Sequence, residues 1–289
     1  MPIQAAMLRD GRRLHLQHGP IDLIIEAWGS DGEVRAAYRQ AISAFDGLLE
    51  TLVAELATLR RPLEDIYPAL AGPVAQRMAK ACWPFRGAFI TPMAAVAGAV
   101  ADHILAAMTA GRELAKAYVN DGGDIALHVT GTERLTCGVV ADLSGPALDG
   151  SIMLDATMPI RGIATSGAAT KGSGGRSFSL GIADAVTVLA RSGAEADAAA
   201  TIIANAVDLP GHDGIRRGPA SAIDPDSDLG DRLVTLAVPR LARAEIEQAL
   251  RSGLNTAETL RRHGLIVGAV LALQGIFATC GSDHRKLAA

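Results

Sequence analysis

Residues 118–129, YVNDGGDIALHV, set two adjacent glycines between carboxylates at the head of an apolar run. Gly122 and Gly123 would leave backbone N–H groups open to close approach by a ligand, with Asn120, Asp121 and Asp124 as polar neighbours. A plain hairpin turn fits the same residues, with Asn120 or Asp121 in the left-handed conformation. Residues 163–179, IATSGAATKGSGGRSFS, end a strand in Thr165-Ser166-Gly167 and continue into a loop of glycines and hydroxyls. Ser177, Ser179, Gly181, Lys171 and Arg176 in and beside this loop suit an anionic ligand; a surface loop is the alternative. No Gly-Lys-Ser/Thr ending leads it into a helix, so it is not a phosphate loop of the Walker type.

Two further stretches carry oxygen ligands. In RSGAEADAAATIIANAV, Ser192 and Glu195 have capping-box spacing and mark a helix start. Asp197 and Thr201 then fall four residues apart on one helical face, a hard oxygen pair suited to Mg²⁺ or Ca²⁺. The same pair also reads as an Asp favouring the helix dipole and a Thr bonded back to the backbone. The acidic run DPDSDLGD, residues 224–231, lacks the glycine and closing glutamate of an EF-hand loop and reads as a solvated turn. His103 and His128 stand singly, and neither His-x-x-x-His nor Gly-x-Ser-x-Gly occurs. Activated hydroxyls at Ser166 or Ser177 are the remaining nucleophile candidates, with Asp184 as a base.

The elements that must position these residues follow from periodicity. Residues 14–17 and 21–28 predict two strands around His-Gly-Pro. Residues 31–60 predict one long amphipathic helix stopped by Pro62, with Ala37, Ile42, Phe45, Leu48, Leu49 and Leu52 at near-helical spacing. Further helices are expected over 72–81 and 94–110, the latter preceded by Thr91-Pro92. Between 117 and 190 short β-like runs alternate with glycine-rich turns, the last running from Phe178 to Ala190. A helix over 195–207, a long polar loop to 231, a strand at 232–238, a helix over 242–251 and a final strand at 265–275 complete the chain. Helices and strands mix without βαβ alternation, which predicts an α+β fold in a single domain, residues 1–289.

Composition narrows the function classes. The chain is 49% hydrophobic and only 3% aromatic, so its core is built from Ala, Leu, Val and Ile. A net charge of −4 gives no electrostatic footprint for nucleic acid. Cys82, Cys137 and Cys280 show neither metal spacing nor a disulfide framework, as expected in a reducing cytosol. The start, MPIQAAMLRDGRRLHLQHG, has no apolar run of the signal-peptide kind, and the longest apolar stretches fall short of a membrane span.

The order of the motifs is specific. VNDGGDIALHVTG, LTCGVV, GIATSG and ADAVTVLARSGAEADAAATIIANAV, between residues 91 and 207, resemble the ApbE flavin-transferase superfamily, whose pattern runs N-x-GGD, TSG and ADAxAT. Together with RLHLQHGPIDLIIEAWG, ITPMAAVAGAVAD and DSDLGD, they look closest to its UPF0280-type cytosolic branch. The resemblance implies an ApbE-like fold, binding of FAD and a divalent metal, and transfer of FMN to a protein threonine. It implies a metal held by Asp197 and Thr201 with a backbone carbonyl near residues 96–98, and a cofactor against the GGD and TSG turns. The chain departs from the pattern where transferases carry HHIxDPxTG: it has GGRSFSLGIADAVTV, without histidine or proline, so protein flavinylation is not expected.

The sequence therefore predicts a cytosolic, homodimeric enzyme, its reaction unspecified, that binds a small anionic or nucleotide-like ligand, FAD among the candidates, with an optional divalent metal such as Mg²⁺. Catalytic candidates are Ser166, Ser177 and Asp184. Ligand contacts are expected from Thr91, Asn120, Asp121, Gly122, Gly123, Asp124, Thr165, Gly167, Arg176, Ser179 and Gly181, converging on one pocket near Asp197. A non-catalytic flavin or nucleotide binder, or a factor delivering sulfur or a cofactor, is the alternative. Neither nucleic acid nor membrane is an expected partner.

Overall fold

Alternation of buried positions, complete in β2 (Leu14–His18) and partial in β3 (Ile21–Gly29), builds the first strands. Leu14, Leu16 and His18 point inward from β2, and Ile21, Leu23, Ile25 and Ala27 from β3. β1 (Gln4–Met7), which the sequence pattern does not announce, adds to the edge of β2 with every residue exposed. The computed structural model describes residues 3–139, 150–167 and 178–281. They form an α+β fold with antiparallel strand pairing, divided into two compact units. The first comprises Met1–Thr136, Met153–Ala164 and Ala190–Ala198; the second comprises Cys137–Ile152, Thr165–Leu189 and Ala199–Ala289.

In the first unit the predicted long helix is broken. α1 (Asp31–Phe45) ends at Asp46-Gly47, where Gly47 has φ +72°, and α2 (Leu48–Ala54) and α3 (Leu56–Leu59) follow as short pieces. A glycine in the left-handed region is a common helix stop, and it overrides the apolar periodicity running through it. α4 (Pro73–Cys82) leads by way of two 3₁₀ turns to α5 (Val96–Thr109). The helical stretch Pro92–Thr109 is long and apolar enough to cross a membrane by length and composition, which the sequence reading did not foresee; half of it is buried inside the fold. It packs on α1, α4 and two strands, β4 (Leu114–Asp121) and β5 (Asp124–Val129). The strand order runs β1-β2-β3-β4-β5, and β5 then pairs with β8 (Gly162–Ser166) through Ile125–Ile163 and Ala126–Gly162. β6 (Arg134–Val139) and β7 (Gly150–Asp155) form a separate two-stranded ribbon.

α6 (Gly193–Ala206) starts two residues earlier than predicted, and Ser192 caps it by accepting the Glu195 N–H at 3.2 Å. The second unit is built on β9 (Ala185–Ala190), whose six residues are all buried. Residues 178–184, expected as part of that strand, lie outside it: the Asn205 and Arg217 side chains bond the Leu180 main chain, and the Ile182 and Asp184 N–H groups donate to Val207 O and Ala272 O. Instead of a structureless polar loop, the 209–231 stretch contains β10 (Arg216–Pro219), paired with β11 (Leu233–Ala237). α7 (Arg243–Arg262) runs eleven residues beyond the predicted end at Arg251. Its interior Gly253 is a packing residue, since a Cβ there would sit 2.3 Å from Val207 Cγ2. The predicted final strand is a hairpin, β12 (Gly268–Leu273) and β13 (Ile276–Cys280), turned by Gln274 and Gly275, both at positive φ.

Candidate functional site

The NDGGD run is a two-residue hairpin turn. Gly122 and Gly123 take φ +61° and +111° between the last residue of β4 and the first of β5, and the Gly123 N–H donates to Asn120 Oδ1 at 2.8 Å. A Cβ on either glycine would meet nothing within 4 Å, so the backbone conformation, not crowding, requires glycine here. The register puts Asp121 opposite Asp124. Like charges facing each other across strands destabilise a sheet. Asp121 is also 8% exposed, and burial, then Asp124, then Asp22 drive its carboxyl up to about 8, although the Asp22 main-chain N–H donates to it.

Asp197 in the first turns of α6 belongs to the same neighbourhood. Its Oδ2 accepts the Gly98 N–H at 3.1 Å. Burial raises its pKa well above the carboxylate range, and Asp124, Asp121 and Asp102 push in the same direction, with the Gly98 hydrogen bond opposing them. Gly98 lies in the 96–98 segment for which the resemblance implied a carbonyl ligand, and its N–H holds the Asp197 carboxylate. Gly98 and Gly193 let α5 and α6 nearly touch, for a Cβ on Gly98 would lie 2.3 Å from the Gly193 carbonyl oxygen. Asp102, also 8% exposed, accepts the Gly193 and Ala194 N–H groups at 2.8 and 3.0 Å, with Arg77 at 3.9 Å. It thus neutralises the α6 N-terminus. Thr201 lies one turn beyond Asp197 on α6 and is partly exposed. Among the described residues no three His, Cys, Asp or Glu side chains are grouped to hold one ion. A cation at Asp197 would therefore draw on hydroxyl or main-chain oxygen as well.

The second unit gathers other predicted residues. Thr165 Oγ1 lies 2.9 Å from Thr187 Oγ1. Gly167 has φ +129°, and a Cβ on it would lie 2.7 Å from the Asp184 carbonyl oxygen, so the TSG turn closes directly onto residues 183–184. Ser166 ends β8 half-buried. Asp184 accepts a short hydrogen bond from the Gln274 N–H, and its own N–H donates to Ala272 O at 3.0 Å, which ties it to the β12–β13 hairpin. Ser179 is buried; its hydroxyl accepts the Gly181 N–H at 3.2 Å and its carbonyl accepts the Thr235 N–H at 3.0 Å. A Cβ on Gly181 would lie 2.1 Å from the Ala204 carbonyl oxygen, so this glycine serves close packing. Arg176 and Ser177, with Lys171, fall outside the described residues. Thr91 is buried in the first unit, at the foot of the turn before α5. Within residues 224–231, Asp224 accepts the Asp226 N–H and Asp231 accepts the Ser221 hydroxyl, the arrangement of a solvated turn.

The family model described as AbpE bacteria matches residues 5–279. The chain belongs to that family. Among curated relatives, a UPF0280 protein of Methanothrix thermoacetophila is 40% identical over 138 residues, 47% of this chain and 53% of the relative. A UPF0280 protein of Methanosphaerula palustris is 38% identical over 160 residues, 55% of this chain and 63% of the relative. One of Methanosarcina acetivorans is 33% identical over 175 residues, 60% and 64%. The chain thus spans between about half and two thirds of the length of these relatives.

Within this AbpE-family chain, several residues that shape the neighbourhood escaped the sequence reading. Asp102 sits in an apolar helical run, where a lone acid could have been recognised as a buried cap. Asn205 accepts the Leu180 N–H at 3.0 Å. Arg217 donates to Leu180 O at 2.5 Å and pairs with Asp208. Gln274, unremarkable in sequence, holds Asp184 through its main chain.

Proposed function

We propose that this protein binds a small anionic, nucleotide-like ligand with the help of a divalent cation held at Asp197 and Thr201, flavin nucleotide being the first ligand to test. The observation that carries the reading is the electrostatic setting of Asp197. Burial and then Asp124 act on it most strongly, the Gly98 N–H opposes them, and Asp121 and Asp102 add smaller contributions in the direction of burial. A carboxylate so placed is relieved either by a proton or by a cation. The hard oxygens of Asp197 and Thr201 suit Mg²⁺ or Mn²⁺. When bound, the cation would supply positive charge for phosphate oxygens. Asp124 raises the local negative potential that draws it in, Asp121 adds to that potential once it ionises above about pH 8, Gly98 orients the Asp197 carboxylate, and Asp102 fixes the start of α6.

The test is calorimetric titration of chelator-treated protein with Mg²⁺ or Mn²⁺, followed by FAD in the presence and absence of the cation. Cation binding, and FAD affinity that depends on it, should be weakened at least about tenfold by Asp197→Ala, since a charged ligand to the ion is lost. Melting temperature should stay within a few degrees. FAD binding that is equal in EDTA and in Mg²⁺, or a wild-type protein that takes up neither cation at millimolar concentration, would overturn the proposal.

A further inference from the structure

An open cleft of about 650 Å³ in the second unit is lined by Arg240, Leu241, Arg243, Ile246, Gln274 and Ile276. Its volume falls in the range of small-molecule sites. Leu241 and Ile246 are buried and form an apolar wall with Ile276, while Arg240 and Arg243 are exposed at its rim. Arg243 shares its charge with Glu247 at 2.9 Å; among the described residues Arg240 forms no ion pair.

The cleft is held by a residue in an unfavourable conformation. Gln274 is the one non-glycine residue at positive φ among the described residues, φ 44°, at a turn position where Asn or Gly is usual. Its side chain accounts for the choice. Oε1 accepts the Leu241 N–H at 3.0 Å and Nε2 donates to Pro239 O at 2.6 Å. These two bonds flank Arg240 on either side and fix its main chain, so that its guanidinium projects from a rigid base. Asn is one methylene shorter and Gly has no amide. Strain of this kind persists where surrounding contacts over-determine it, and it clusters at binding sites. Arg243 is also the first residue of the twenty-residue α7, whose N-terminal dipole adds positive potential, although Glu245 caps the Ala242 N–H.

We propose that this cleft is a recognition site for a small organic phosphate monoester, whose phosphate pairs with Arg240 and Arg243 and whose apolar body lies on Leu241, Ile246 and Ile276. Its residues share none of the groups assigned to the cation and flavin reading, so the two stand or fall separately. The test uses full-length protein and three probes: phenyl phosphate, inorganic phosphate and phenol. Phenyl phosphate should bind saturably and more tightly than either fragment. Arg240→Gln should weaken it about tenfold, the worth of one charge-assisted hydrogen bond to an oxyanion. Arg251→Gln, an exposed arginine on the same helix, should leave the affinity unchanged, and every titration is run in EDTA so that no cation at Asp197 can hold the phosphate. Absence of saturable phenyl phosphate binding at 10 mM, about the weakest affinity a functional site would show, would overturn the proposal. So would equal losses in Arg240→Gln and Arg251→Gln, or equal affinity for phenyl and inorganic phosphate.

Discussion

Replacing Asp121 by Asn should change how stability depends on pH, and the structure sets the size of the effect. Asp121 has an ordinary pKa of 3.8 in the unfolded chain and about 8 in the fold. Between those values the folded protein holds a proton that the unfolded chain has lost. Stability is therefore greatest near pH 4, falls as pH rises, and levels off above about 8. The gap is about four pKa units at about 1.4 kcal/mol each, so the loss is at most ~6 kcal/mol, and relaxation of the neighbouring Asp124 and Asp22 should reduce it to about 3. Asn has the shape of the protonated acid and cannot ionise. Urea denaturation in EDTA at pH 5, 7 and 9 should give similar midpoints for the two proteins at pH 5. At pH 9 the Asp121→Asn variant should be more stable by several kcal/mol, on the order of the linkage term. If the two curves stay parallel across this range, Asp121 is ionised in the fold at neutral pH and the electrostatic account of the GGD turn is wrong.

Other substitutions probe the packing within each unit. Gly98→Ala would drive a methyl group into the Gly193 carbonyl, 2.3 Å from the ideal Cβ, and should cost about 2–3 kcal/mol by thermal or urea unfolding. Asp102→Ala orphans the Gly193 and Ala194 N–H groups at the buried start of α6 and should cost about 3 kcal/mol, with Asp102→Asn recovering part of it. Arg217→Met removes the donor to Leu180 O and leaves Asp208 unpaired, for a loss of about 2 kcal/mol; a loss equal to that of Arg216→Met, an exposed neighbour, would refute the clamp.

The sequence disclosed these elements unevenly, for physical reasons. β2 is legible because its buried residues alternate, and β3, β4 and β5, whose burial alternates only in part, because glycine-containing turns bound them. β10 is not, because Arg-Arg-Gly-Pro has no apolar face and is a strand only through its pairing with β11. Gly47 and Gly253 look alike as helix breakers, yet one ends a helix at positive φ and the other sits inside a helix where Val207 needs the space. Chain-local periodicity cannot separate those cases, since the deciding atoms lie far away in sequence. The chemistry of the site was legible to the same extent. Asp197 on a helix start follows from Ser192 and Glu195, and the hairpin from Asn-Asp-Gly-Gly-Asp. The acidic company around Asp197 did not, because it arises from tertiary packing of β4, β5, α5 and α6.

That acidic company also gives the cation reading a second, independent consequence. Asp121 and Asp197 each prefer to be protonated in the folded chain, and a cation at Asp197 competes with those protons. Affinity for Mg²⁺ should then rise with pH, because a cation at Asp197 displaces protons that the folded chain holds at raised pKa. Calorimetry in buffers of different ionisation enthalpy counts the protons released, and about one per cation is expected near pH 7. Asp121→Asn removes one titrating competitor but also one negative charge from the surroundings. It should flatten the pH dependence and lower the affinity at pH 9, where wild-type Asp121 would be ionised. A pH-independent affinity with no proton release would mean that the cation binds away from these carboxylates, and the function assigned to Asp197 would fall with it.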